Sequence, residues 1–198
     1  MTRRTDSRQR MVAAARQLIR ERGYHGTALS DVVKRSAAPR GSVYYHFPEG
    51  KVQMAAEAAD SHAREQVEEI NRLAGSSSSA EALVRTYFDR AREGMVGSGY
   101  QRGCAVAPLV IEAGEESEEL DAVSRRAFAA MIDGMAFQLI VLGVGNAAAR
   151  ELAHAVIAAV EGALVTSRAL RSPEPFDAVQ TVLADRARDL TEGVETSL

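Results

Sequence analysis

Between residues 27 and 51 the chain gathers side chains suited to gripping a polyanion and reading base edges. Arg40 carries a planar fork of N–H donors that matches the paired acceptors of a guanine edge in a major groove. Gly41 beside it has no side chain to hold a helix away from the groove floor. Ser42 and Tyr45 bring hydroxyls for a base edge or a phosphate, and the Tyr45 ring also suits a thymine methyl. Thr27 combines a hydroxyl with the free amides of a helix start, and Lys51 stands at the start of a following helix, facing the same backbone. These types at this spacing point to double-stranded DNA as the partner.

Charge agrees with that chemistry. The whole chain carries −3, but residues 1–51 hold 11 Lys and Arg against 4 acids, and the remainder holds 13 against 23. A head of +7 supplies the sequence-independent attraction to phosphates, while a body of −10 is kept off them.

Other chemistry is thinly supported. His25, His46, His62 and His154 share no metal-ligand spacing with one another or with Cys104, so no metal site and no cofactor are expected. Gly143-Val144-Gly145 lacks the strand and third glycine of a nucleotide loop and reads as a helix C-cap. Cys104 has only Arg102 nearby to lower its pKa and reads as a buried, inert thiol; as the single cysteine it makes no intramolecular disulfide. An enzyme is therefore not expected. Residues 1–10 are charged where a signal peptide needs an apolar core, and every apolar segment is interrupted before the roughly 18 residues of a membrane span. A cytoplasmic protein with no membrane partner follows as the expectation.

Helical periodicity supplies the scaffold. Met11, Ala15, Leu18 and Ile19 mark a helix over 7–22, stopped by Gly23. A short second helix carries Leu29, Val32 and Val33, with Thr27 as its expected N-cap, and ends near Ser36. Ala37-Ala38-Pro39 forms a tight connection. A third helix over about 40–46 turns Val43 and Phe47 inward and leaves Arg40, Ser42, Tyr45 and His46 facing elsewhere. Two short helices joined by a three-residue turn match the helix-turn-helix plan.

Further helices follow from Lys51 (Ala56, Ala59, Ala63, Val67, Ile70, Leu73), from Leu83 to Met95, and over about 105–113. Ser117 is expected to cap the next, with the acids of 115–119 at its positive end, and Asn146 the one after it, reaching about Arg171. A last helix, after Pro173 and Pro175, carries Phe176, Val179, Leu183, Ala187 and Leu190. The expected class is all-α, about nine helices, divided into a DNA-binding part (1–52) and a helical remainder (53–198).

The run Gly23-Tyr24-His25-Gly26-Thr27, then Asp31-Val32-Val33, then Pro39-Arg40-Gly41-Ser42-Val43-Tyr44-Tyr45-His46-Phe47 and Lys51, resembles the TetR family over the first quarter of the chain. Phe47-Pro48-Glu49-Gly50-Lys51, with Arg102-Gly103-Cys104-Ala105-Val106-Ala107, is similar to its LmrA/YxaF branch. The sequence departs from the usual pattern at Ala28, Ala37 and Pro39, which weakens capping and leaves the groove contacts in place.

The resemblance implies that Tyr44 and His46 contact phosphate, although the Tyr44 ring is equally suited to packing. It also implies that 53–198 binds an effector and forms a homodimer through its last two helices, where Ala155, Ala158, Ala159, Gly162 and Ala163 allow close approach. Tyr87, Phe88, Met95, Tyr100, Cys104, Met131, Met135 and Phe137 are candidates for a pocket taking a small apolar or aromatic effector; each alone is equally a core residue. The function expected is a ligand-responsive repressor on a palindromic operator. Its rival is a nonspecific DNA-binding protein.

Overall fold

The computed structural model describes residues 2–113 and 117–195, with the backbone alone described for 2–6, 40 and 193–195. Among the described residues there are nine α-helices, one 3-10 turn and no strand. In chain order the helices are α1 (Thr2–Arg22), α2 (Leu29–Ser36), α3 (Val43–His46), α4 (Lys51–Gly75), α5 (Ala80–Gly97), α6 (Ala107–Ala113), α7 (Glu118–Val141), α8 (Asn146–Leu170) and α9 (Glu174–Glu195). The 3-10 turn, Arg40–Ser42, leads directly into α3. The chain divides into two compact units: Met1–Glu65 with Cys104–Phe128, and Gln66–Gly103 with Ala129–Leu198.

The first unit is built on α1. Met11, Ala15, Leu18 and Ile19 recur at helical spacing and all are buried. The helix begins at Thr2 rather than Ser7, with Arg3 and Arg4, which have good helical propensity, in the added turn. It ends where Gly23, at φ +80, donates its N–H to the Ile19 carbonyl at 2.9 Å.

Two expected caps are displaced. Ala28, not Thr27, is the N-cap of α2, with no side-chain cap bond; the Thr27 hydroxyl turns back and donates to the Gly23 carbonyl at 2.8 Å. The hydroxyl closes the turn left by α1, which removes it from the start of α2. Likewise Gly145 precedes α8 and Asn146 is its first residue. The preceding Gly143, at φ +96, and the Val144 N–H bonded to the Leu139 carbonyl end α7 so abruptly that α8 starts one residue early. The glycine pair thus serves as a helix terminus. Ser117 does cap as expected, accepting the Leu120 N–H at 3.3 Å; Glu115 and Glu116 lie outside the described residues.

In the second unit α5 packs on α9 and α8, and α8 on α9. Ser79 caps α5 by accepting the Ala82 N–H at 3.1 Å. Leu83, Val84, Phe88, Leu152, Val156 and Phe176 are buried there. By length and a mean hydropathy of 1.2 over its most apolar stretch, α8 would suffice to cross a bilayer, although Arg150, Glu151, Glu161 and Arg168 interrupt its apolar residues. Its Leu152, Val156, Ile157 and Val160 are instead buried in this unit.

Candidate nucleic-acid interface

Inward anchors orient the recognition segment. Val43 and Phe47 are both buried, and the Phe47 N–H bonds to the Val43 carbonyl at 2.8 Å. Helical geometry then sends the intervening side chains outward, leaving Tyr44 69% and Tyr45 65% exposed. At Gly41 an added Cβ would meet nothing within 4 Å. Internal packing therefore does not call for glycine there.

The turn ahead of this segment has a defined form. Ala37 sits at φ 51 and ψ 32, its N–H pointing to the Lys34 carbonyl (3.4 Å) while the Ala38 N–H reaches the Val33 carbonyl (3.3 Å). That pair of bonds is the Schellman arrangement, with alanine where glycine is the usual occupant. Arg10 Nε adds a bond to the Ser36 carbonyl at 3.1 Å, so α1 closes the end of α2 from outside. Pro39 is extended, at φ −61 and ψ 134, and starts the 3-10 turn. The expected single helix over 40–46 is thus 3-10 for its first three residues and α for the last four.

The remaining candidates have partners within the first unit. The Ser42 hydroxyl donates to the Pro39 carbonyl at 2.7 Å. His46 Nε2 lies 2.9 Å from the Ser7 hydroxyl, tying the recognition helix to α1, and its ring stands edge-on to Tyr45. Thr27 is 4% exposed, so its hydroxyl faces the interior rather than a phosphate. Lys51 begins α4; its Nζ donates to the His25 carbonyl at 3.4 Å and lies 4.3 Å from the centre of the Tyr24 ring. The side chain of Arg40 lies outside the described residues, and its backbone opens the 3-10 turn.

Several basic groups of the head are used internally. Arg8 pairs with Glu57 at 2.6 Å, Arg22 with Asp31 at 3.1 Å, Arg35 with Glu21 at 2.8 Å, and Arg16 with Glu65. Burial raises the Glu57 carboxyl above its usual range, against the pull of Arg8. None of these partners announces itself in the sequence, nor does the bond from Ser7 to His46.

The pocket candidates fall in different places. Tyr87, Phe88, Met95, Met131 and Met135 are buried in the second unit, with Tyr87 and Phe88 in edge contact at 6.4 Å. Tyr100 is half-buried at φ 63, and the Arg171 guanidinium lies 5.8 Å from its ring centre. Phe137 is 61% exposed. Cys104 belongs to the first unit, where it is buried and its sulfur accepts the Val106 N–H. Among the described residues no three His, Cys, Asp or Glu side chains converge on a metal position.

Residues 11–58 match the bacterial regulatory proteins of the tetR family, and residues 80–182 match the C-terminal domain of LmrA/YxaF-like transcriptional regulators. An uncharacterised HTH-type transcriptional regulator of Mycobacterium tuberculosis is 37% identical, over 89% of this chain and 91% of its own length. The HTH-type transcriptional regulator LmrA of Bacillus subtilis is 27% identical over 91% of this chain and 96% of its own. The crystal structure of a TetR transcriptional regulator from Legionella pneumophila superposes with a TM-score of 0.78 at 21% identity, over 89% of this chain and 94% of that one.

Proposed function

The chain belongs to the TetR family of bacterial transcriptional regulators, in its LmrA/YxaF-like branch, and on that premise we propose that it is a ligand-responsive repressor that binds a palindromic operator as a homodimer. Residues 1–52 do the binding and 53–198 take the effector and pair the subunits. The observation that carries this reading is the recognition segment: Val43 and Phe47 buried, with Tyr44 and Tyr45 exposed beside a Gly41 open to approach. Arg40 reads a base edge, Ser42 and Tyr45 contact base or phosphate, and Lys51, Tyr44 and His46 hold the phosphates.

Regulators of this family bind DNA and act as dimers, since two recognition helices must meet two half-sites. In this chain α8 presents Ala155, Ala158, Gly162, Val165 and Ala169 along one exposed face, and α9 exposes Val182. Small residues at this spacing suit close helix packing between subunits; Ala163 faces the interior instead. The effector is a small apolar or aromatic molecule taken up among Tyr87, Phe88, Met95, Met131 and Met135, and the protein works in the cytoplasm, where its operator is. An effector acts only through its differential affinity for the DNA-bound and free states.

A salt-dependent gel shift compares the intergenic DNA upstream of the gene with a scrambled duplex. Preferential binding is expected, with Arg40→Ala relaxing preference at one base pair and Lys51→Ala weakening all sequences alike. Equal binding to both duplexes identifies a nonspecific DNA-binding protein and overturns the reading.

A further inference from the structure

The turn between α1 and α2 is held by a carboxylate from far along the chain. Glu112, on α6, accepts the His25 backbone N–H on Oε2 at 2.7 Å, and its main-chain oxygen lies 2.9 Å from His25 Nε2. Its Oε1 fills the space that a Cβ on Gly23 would take, which gives Gly23 a second reason to be glycine besides its φ of +80. The residue held in this way is the one on which Lys51 leans: Nζ reaches the His25 carbonyl at 3.4 Å and covers the Tyr24 ring at 4.3 Å. All these residues lie in the first unit.

An acid in this position calls for an explanation. A carboxylate close to the phosphate-facing cation of a DNA-binding head works against association with a polyanion. It is tolerated where the geometry it enforces is worth more than the repulsion it adds. We infer that Glu112 is a positioning residue for DNA binding: by gripping His25 at both backbone and ring, it fixes the residue whose carbonyl aims Lys51 at the phosphate backbone. The inference rests on the reading of Lys51 as a phosphate contact. A turn already held in the free protein does not have to be ordered on binding, so the Lys51 contact forms without that loss.

The test uses the full-length protein and a fluorescent DNA duplex of arbitrary sequence, over a series of low salt concentrations, because a phosphate contact is independent of sequence. Glu112→Ala is expected to bind about fivefold to tenfold more weakly, the effect of losing a charge-assisted hydrogen bond at a partly exposed site. Its slope of log affinity against log salt is expected to fall by about 0.9, one phosphate contact. Glu112→Gln removes the same charge and keeps an oxygen for the His25 N–H, so it should stay within about twofold of wild type. In a Lys51→Ala background Glu112→Ala should cost nothing further.

If the Ala and Gln variants bind alike, or the Ala loss adds in full to that of Lys51→Ala, the inference is overturned. A lowered melting temperature with an unchanged salt slope also overturns it, because that pattern belongs to a merely structural contact. A wild-type protein that binds no duplex at all refutes the DNA reading itself and this inference with it, an outcome distinct from the other three.

Discussion

Ala37→Gly isolates a single strained residue whose contribution has a computable sign. Ala37 occupies the left-handed region at φ 51 and ψ 32, which costs a residue with a Cβ about 1–2 kcal/mol. Its side chain is exposed, so deleting the methyl opens no cavity. The bonds from Ala37 N–H to the Lys34 carbonyl and from Ala38 N–H to the Val33 carbonyl are made by backbone and survive the change. Against the relief of strain stands the greater freedom of glycine in the unfolded chain, about 0.4–1 kcal/mol. The difference leaves Ala37→Gly more stable by about 0.5–1 kcal/mol. For a chain of this size that corresponds to roughly 1–4 °C in melting temperature. Urea unfolding followed by circular dichroism should show a higher midpoint with an unchanged m-value, and DNA affinity should hold within about twofold. Ala37→Val, whose branched Cβ tolerates this region worse than alanine, should move the midpoint the other way. A Gly variant less stable than wild type would refute the view that the turn stores strain at position 37.

His62 and Val165 give two further expectations. Burial, and after it the nearby Arg20 and Arg16 charges, push the His62 imidazole down to about 3, so it is neutral in the fold while the unfolded chain takes up a proton near pH 6.5. Its contribution is therefore complete above pH 6.5 and is lost as pH falls from there towards 3, at up to about 1.4 kcal/mol per pH unit. His62→Leu also removes a buried Nδ1 that has no hydrogen-bond partner, and it should flatten that part of the profile in urea melts across pH 7 to about 5. A slope equal to that of wild type would show that the proton goes elsewhere. Val165, 65% exposed on the small-residue face of α8, is expected to lie in the subunit interface. Val165→Glu should give a monomer by sedimentation and lose operator binding, and an intact dimer would move the interface off this face.

Short-range patterns carried most of the fold. The periodicity of Met11, Leu18 and Ile19, the inward pair Val43 and Phe47 and the Ser117 cap all depend on neighbours within about one helical turn, and each is present in the structure. Misplaced features arose where two local solutions competed. The Thr27 hydroxyl had both a helix start and the Gly23 carbonyl within reach and took the carbonyl, while Gly143 ended α7 in a way that made Gly145 rather than Asn146 the cap. No local pattern distinguishes a buried Met135 from an exposed Phe137, because both suit an apolar stripe and only the packing of distant helices decides which face is covered.

Charge counted along the chain also differs from charge presented by the fold. The head sums to +7 over residues 1–51, yet the compact unit containing it also takes in Glu57, Asp60 and Glu65 from α4 and Glu112, Glu118, Glu119 and Asp121 from the 104–128 segment, which outnumber the added Arg64, Arg125 and Arg126. Among the described residues Arg8, Arg16, Arg22 and Arg35 of the head are already in ion pairs. The attraction to DNA then depends on the cations that face it rather than on the net sum. Counterion release counts phosphate contacts individually, about 0.9 in salt slope for each. The measured slope should therefore track the few groups aimed outward beside Tyr44 and Tyr45. It should stay well below the value that 11 basic residues acting together would produce.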